Sequence, residues 1–160
     1  MKRHIALLMS ALIVVLDQVF KILAMEHLEP VGSLPLIPDI FHLTYIENRG
    51  AAFGMLEGNK WVLIGLTALV LLAAIFLVLT GKLENDNHIL FSVCVIIGGG
   101  VGNLIDRVYR GFVVDYVHLK VINFAVFNFA DICVTLGTVW LLIYLLCDLK
   151  KEVSGENKSA

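Results

Sequence analysis

Long apolar runs alternate along this chain with short polar stretches, and the runs have the length of a bilayer crossing. Residues 61–80, WVLIGLTALVLLAAIFLVLT, carry no charged side chain. In a helix, at about 1.5 Å per residue, they reach roughly 30 Å, the thickness of the hydrocarbon core. Trp61 opens this run at what should be an interface. Residues 88–105 and 128–147 are two further runs of the same kind. The N-terminal MKRHIALLMSALIVVL is basic and then apolar, like a signal peptide, but no small-residue cleavage site follows it. The apolar pattern continues through Asp17 and VFKILAM, so residues 5–25 are predicted to be an uncleaved first span.

The polar stretches have a different grammar. Pro30, Pro35 and Pro38 fall within residues 26–60, which excludes a crossing helix there. FHLTYI, residues 41–46, is rich in aromatic and β-branched side chains and predicts a short strand. ENRGAAFGML follows, where Gly50, Ala51 and Ala52 leave room for close backbone approach. GFVVDYV, in the second loop over residues 106–127, is also strand-like. The link GKLENDN, 81–87, is short and polar, and the end of the 148–160 tail, KKEVSGENKSA, is expected to be disordered. The pattern predicts one membrane domain over residues 1–160, an all-α polytopic membrane protein with four transmembrane helices.

Composition agrees. Of 160 residues, 59% are hydrophobic and 16% charged, against about a quarter charged in soluble domains. The formal net charge of −2, with no basic arm or zinc-knuckle spacing, speaks against nucleic acid as a partner. Cys94, Cys133 and Cys147 are odd in number, lack a C-x-x-C pair and lie in apolar runs. They are expected to be buried small hydrophobes, with no disulfide framework or zinc site. Four spans put both termini and the 81–87 link on one side, and the 26–60 and 106–127 loops on the other. Of twelve Lys and Arg, six lie on the terminal side, five on the loop side, and Lys21 within a span. That split is nearly even, and the basic start before the first span tips the orientation toward cytoplasmic termini. The two halves of the chain show no repeat, which counts against an inverted-repeat transporter.

Polar groups at membrane depth are expensive and need a reason. The topology collects Glu47, Asn48, Arg49, Asn103, Asp106, Arg107, Asp115, Asn128 and Asp131 on the loop side. Two carboxylates in apolar surroundings, Asp115 and Asp131, would raise each other's pKa, so that one holds a proton while the other stays ionised. Aspartic peptidases use that arrangement: the ionised carboxylate takes a proton from water and the protonated one polarises the scissile carbonyl. Plainer explanations stand beside this one. Asn128-Phe-Ala-Asp131 has the spacing of a capping box, and an acid in the first turn suits the helix dipole. Asp115 could pair with Arg107 or Arg110 at the surface, and Arg107 suits a helix C-terminus on dipole grounds. Gly98 and Gly102 form G-x-x-x-G within a span, which signals close helix packing. Asp17 and Lys21, four residues apart on one helix face, are expected to be a structural ion pair, so that Asp17→Ala would leave Lys21 unpaired. No H-E-x-x-H is present for zinc. Ser92 and His88 share a face without an orienting acid, the cysteines lack a nearby base, and His118 is expected to be an exposed histidine.

Five blocks carry a family resemblance in order along the chain: DQVFK (17–21), NRGAAF (48–53), GNLIDR (102–107), GFVVDY (111–116) and FNFAD (127–131). With these the chain resembles the lipoprotein signal peptidases, the bacterial type II signal peptidases. The resemblance implies a small β-rich extracytoplasmic cradle on four spans. It also implies cleavage of a prolipoprotein just before a diacylglyceryl-modified cysteine, at the outer face of the inner membrane. By motif, Asp115 and Asp131 would be the catalytic dyad. Asn48, Asn103, Arg107 and Asn128 would hold substrate backbone or orient the dyad, with Asp17 and Lys21 as structural support beneath. No metal or organic cofactor would be needed, since water is the nucleophile; the partners would be lipid-modified prolipoproteins and membrane lipids. The segment HLKVINFAV departs from the family by being short and lacking a tryptophan-rich, proline-containing stretch. The rival class is a small four-span transporter in which Asp17 couples to a proton or cation. A first loop of about 35 residues and the Lys21 partner both count against it. A structural assembly factor would not need acids in both outer blocks.

Overall fold

A computed structural model describes residues 1–50, 59–83, 86–122 and 124–154. It contains four long helices, α1 (Arg3–His27), α2 (Lys60–Leu79), α3 (Asn87–Tyr109) and α4 (Phe129–Ser154). Each includes a segment long and apolar enough to cross a membrane. Three strands, β1 (Ser33–Ile37), β2 (Phe41–Asn48) and β3 (Val113–Leu119), form one antiparallel sheet in the order β1-β2-β3. The mostly helical fold with a small β-structured element is as the sequence predicts.

Helix α3 is the centre of the bundle and touches each of the other three helices. Its glycines make that possible. A Cβ on Gly98 would stand 2.7 Å from the Cβ of Ile13 on α1, and one on Gly99 would stand 2.5 Å from the carbonyl oxygen of Ala130 on α4. A Cβ on Gly102 would run into the carboxylate of Asp17. The G-x-x-x-G is therefore a packing device, which brings backbones together where apolar contact alone gives little preference over lipid. Ser10 reinforces the α1–α3 seam, its Oγ donating to the Cys94 carbonyl at 2.8 Å. Gly99→Ala is expected to cost about 1–3 kcal/mol, because backbone, not a flexible side chain, lies in the way. Thermal unfolding in detergent would read this as a lowered midpoint, with Gly65→Ala, which faces open space, left near wild type.

Several boundaries differ from the sequence expectation. The third helix does not stop at 105 but runs to Tyr109, so Asp106 and Arg107 are helical, not part of a loop. It ends because Gly111 adopts φ 83° and its N–H returns to the Asp106 carbonyl, a left-handed cap open to glycine. The fourth helix continues through Ser154, so the start of the tail is ordered helix. Cys94 and Cys133 are buried, but Cys147 is exposed on α4. Strand β1 appears where Pro35 had argued only for a break; it sits at the sheet edge, where a missing N–H is tolerated. Ala51, Ala52 and Phe53 of the NRGAAF block lie outside the described residues.

Candidate active site

The site is where the sheet meets the ends of α3 and α4. In the β2–β3 ladder Ile46 lies opposite Asp115 and Asn48 opposite Val113. Asn48 and Asp115 are thus diagonal neighbours on one sheet face, within reach of paired side chains. Asn48 Nδ2 donates to Asp115 Oδ2 at 2.9 Å, while Asn48 Oδ1 accepts from the Gly50 N–H at 3.0 Å. The Gly50 donor fixes which way the amide faces, since its oxygen must take that N–H.

Asn128 precedes α4 and does two jobs. Its Oδ1 accepts from the Asp131 N–H at 3.0 Å, and its own N–H donates to Asp131 Oδ2 at 3.1 Å. That is a reciprocal capping box, so the capping explanation of Asn128-Phe-Ala-Asp131 holds. Its Nδ2 points the other way and donates to Asp115 Oδ1 at 2.6 Å and to Asn103 Oδ1 at 3.2 Å. The cap therefore also joins the two aspartates. Asn103, on α3, completes the bridge by donating from Nδ2 to Asp131 Oδ1 at 2.8 Å. Asp115 is 2% exposed, and both of its oxygens take amide N–H groups instead of an arginine. The salt bridge from Asp115 to Arg107 or Arg110 is not formed. Arg107 instead reaches the carbonyl of Gly50 at 3.2 Å and that of Asn103 at 3.4 Å. Burial raises the Asp115 carboxyl first, and the Asp131 charge adds to it, against the lowering from the two asparagines; the result is about 7.

Asp115 and Asp131 both line one groove of about 490 Å³, together with Asn48, Asn103 and Arg107. The rest of its wall is apolar apart from Thr135. Leu119, Ile122 and residues 124–127 line it from the β3 end, and Ile132, Val134, Thr135 and Leu136 line it from α4. The short segment HLKVINFAV thus lines the groove through Leu119, Ile122 and residues 124–126. Phe127 holds it in place by pairing with Val117 across an antiparallel bridge.

Beneath the groove, the pair expected at Asp17 and Lys21 is larger. Lys21 Nζ lies 2.9 Å from Asp17 Oδ2 and 3.0 Å from Asp106 Oδ2, all fully buried. Asp106 also pairs with Arg110 and accepts from Gln18 Nε2 at 3.1 Å. Arg110 donates to Gln18 Oε1 at 3.0 Å. Gln18, a neutral amide, gave no signal in sequence, and Arg110 was considered there only as a partner of Asp115. His118 is not the exposed residue expected: it is half-buried, faces His42 across the ladder and shares a hydrogen bond with Thr44. Ser92 donates to the His88 carbonyl at 2.8 Å, and His88 stacks on Trp140 and Tyr144, so neither assembles a hydrolytic site.

The sequence matches the family model described as Signal peptidase (SPase) II over residues 9–147. The chain belongs to the signal peptidase II family. It is 44% identical to a lipoprotein signal peptidase of Clostridioides difficile over 88% of this chain and 93% of that protein. It is 39% identical to one of Streptococcus agalactiae over 98% and 99%. A bacterial membrane enzyme solved by the in meso method at 2.3 Å resolution superposes with a TM-score of 0.82 at 28% identity, covering 91% of this chain and 90% of that one. Membership of the signal peptidase II family makes the chain a multi-pass membrane peptidase and leaves the transporter alternative without support.

Proposed function

We propose that this chain is an aspartic endopeptidase that removes the signal peptide from diacylglyceryl-modified prolipoproteins, cutting just before the lipidated cysteine. The observation that carries the catalytic type is the pair of carboxyls in one groove, joined through Asn128 and Asn103. Asp131, the more open of the two, takes a proton from water as the water oxygen bonds to the scissile carbonyl carbon. Asp115 gives its proton to the carbonyl oxygen. The tetrahedral intermediate collapses as the C–N bond breaks: Asp131 passes its proton to the leaving amine, and Asp115 takes back the hydroxyl proton as the carbonyl re-forms, which restores the dyad. Asn48, Asn103 and Asn128 hold the dyad, while Arg107 faces the groove to meet substrate backbone. The protein's own two carboxyls supply both proton donor and acceptor, and no metal or organic cofactor enters the scheme.

The apolar walls of the groove support a lipid-bearing substrate, with membrane lipids as its surroundings. On this proposal the chain is one membrane domain in the bacterial inner membrane. Its termini are cytoplasmic, and the sheet with the groove is on the outer face. The substrate claim is tested by offering the purified protein, in vesicles, a precursor with and without the diacylglyceryl group. Cleavage of the lipidated form alone, directly before the cysteine, is expected; equal cleavage of both would contradict it.

The proton on Asp115 gives a pH dependence with a definite sign. Its carboxyl titrates at about 7, so rising pH strips the proton that the carbonyl oxygen needs and leaves both acids charged. kcat/KM is expected to fall as pH rises through about 7, reporting the pair and not one residue alone. Initial rates on a lipopeptide across neutral pH measure this; a rate that climbs through neutrality would reverse the roles.

A further inference from the structure

The buried charges under the groove touch the reaction centre at three points. Asp17 Oδ1 accepts from the N–H of Ala130, the residue before Asp131, at 3.1 Å. Asp106 Oδ2 accepts from the N–H of Val114, the residue before Asp115, at 3.0 Å. Lys21 lies between these two acids, and its ammonium donates to Asn103 Oδ1 at 2.7 Å. A structural ion pair alone would require none of the three.

The third contact has the sharpest consequence. An ammonium carries donors only, so Asn103 must show it the oxygen and not the NH2. With Oδ1 committed to Lys21 and Asn128, the Asn103 N–H is aimed at Asp131 whichever protonation state the dyad is in. Without the ammonium, a protonated Asp131 could instead donate to a flipped Asn103 oxygen, and the proton would sit on the wrong carboxyl. Gly102 is part of the device, because a side chain there would displace the Asp17 carboxylate that helps hold Lys21.

We propose that Lys21 is a positioning residue of the peptidase reaction, acting through Asn103 to hold Asp131 as the proton acceptor of the dyad. This rests on the dyad proposed above. The test is a double-mutant cycle in an Asp17→Asn background, which keeps an oxygen for the Ala130 N–H and lets the loss of the Lys21 charge return the buried cluster to neutrality. Lys21→Met retains length without donors. In that background Lys21→Met is expected to lower kcat by about 30-fold with KM little changed, and to shift the pH–rate profile. When Asn103 is already alanine, the same Lys21→Met change is expected to cost less than about 3-fold, because its route to Asp131 is gone. Effects that simply multiply, with an unshifted pH profile, overturn the proposal. So does failure of the Asp17→Asn/Lys21→Met protein to fold in detergent, which would assign the pair to stability alone. The dyad fails separately, if Asp131→Asn stays active; a multiplicative cycle with Asp131→Asn inactive removes only the role of Lys21.

Discussion

Asp106→Ala is expected to leave almost no folded protein in the membrane. Asp106 is fully buried and holds Lys21, Arg110, Gln18 and the Val114 N–H at once. Removing it leaves Arg110 and Val114 without their acid and divides the Lys21 charge with Asp17 alone. Breaking a buried ion pair from one side costs about 3–5 kcal/mol, a large part of the stability of a typical domain. Asp17→Ala should cost less, about 1–3 kcal/mol, because Lys21 keeps Asp106 at 3.0 Å and the main new loss is the acceptor of the Ala130 N–H. This alters the sequence expectation that removing Asp17 strands Lys21. The amount of folded protein extracted from membranes, with thermal midpoints, gives the order; an Asp17→Ala protein less stable than Asp106→Ala would contradict it.

That pair of variants marks where sequence and structure part. The four apolar runs were legible because a bilayer imposes a length on any segment that crosses it. The acids on the loop side were legible because charge is rare in such a chain. Partnership was not. Asp17 and Lys21 are four apart on one helix and announce each other, whereas Asp106 reaches both Lys21 and Gln18 from another helix. The capping box at Asn128 and the dyad at Asp131 looked like competing explanations of one motif. The two are compatible, because Asn128 turns its oxygen to the helix and its NH2 to Asp115 on the neighbouring strand. Strand β1 was hidden by Pro35, which reads as a break until the sheet order places it at an edge. Gln18, the orientation of Asn103 and the half-buried His118 depend on what faces them from other elements, which spacing along one segment does not encode.

Asp115→Asn and Asp131→Asn are each expected to abolish cleavage while the protein stays folded. Each swap is nearly isosteric and keeps the helix and sheet contacts that depend on shape. What it removes is proton transfer: an amide at 115 has no acid proton for the carbonyl oxygen, and one at 131 accepts no proton from water. Asp115→Asn sets a new NH2 among the N–H groups of Asn48 and Asn128, and Asp131→Asn sets one against those of Asn103 or Asn128, so a modest loss of stability should accompany each. Loss of one proton-transfer partner is worth about 10²–10⁴-fold in rate, and partners that act as a unit fall toward the upper end. The most direct measurement is therefore turnover of a lipid-modified precursor by the purified, folded Asp131→Asn protein beside wild type. A rate lower by at least about 10³-fold is the expected result; turnover within about tenfold of wild type would contradict the dyad.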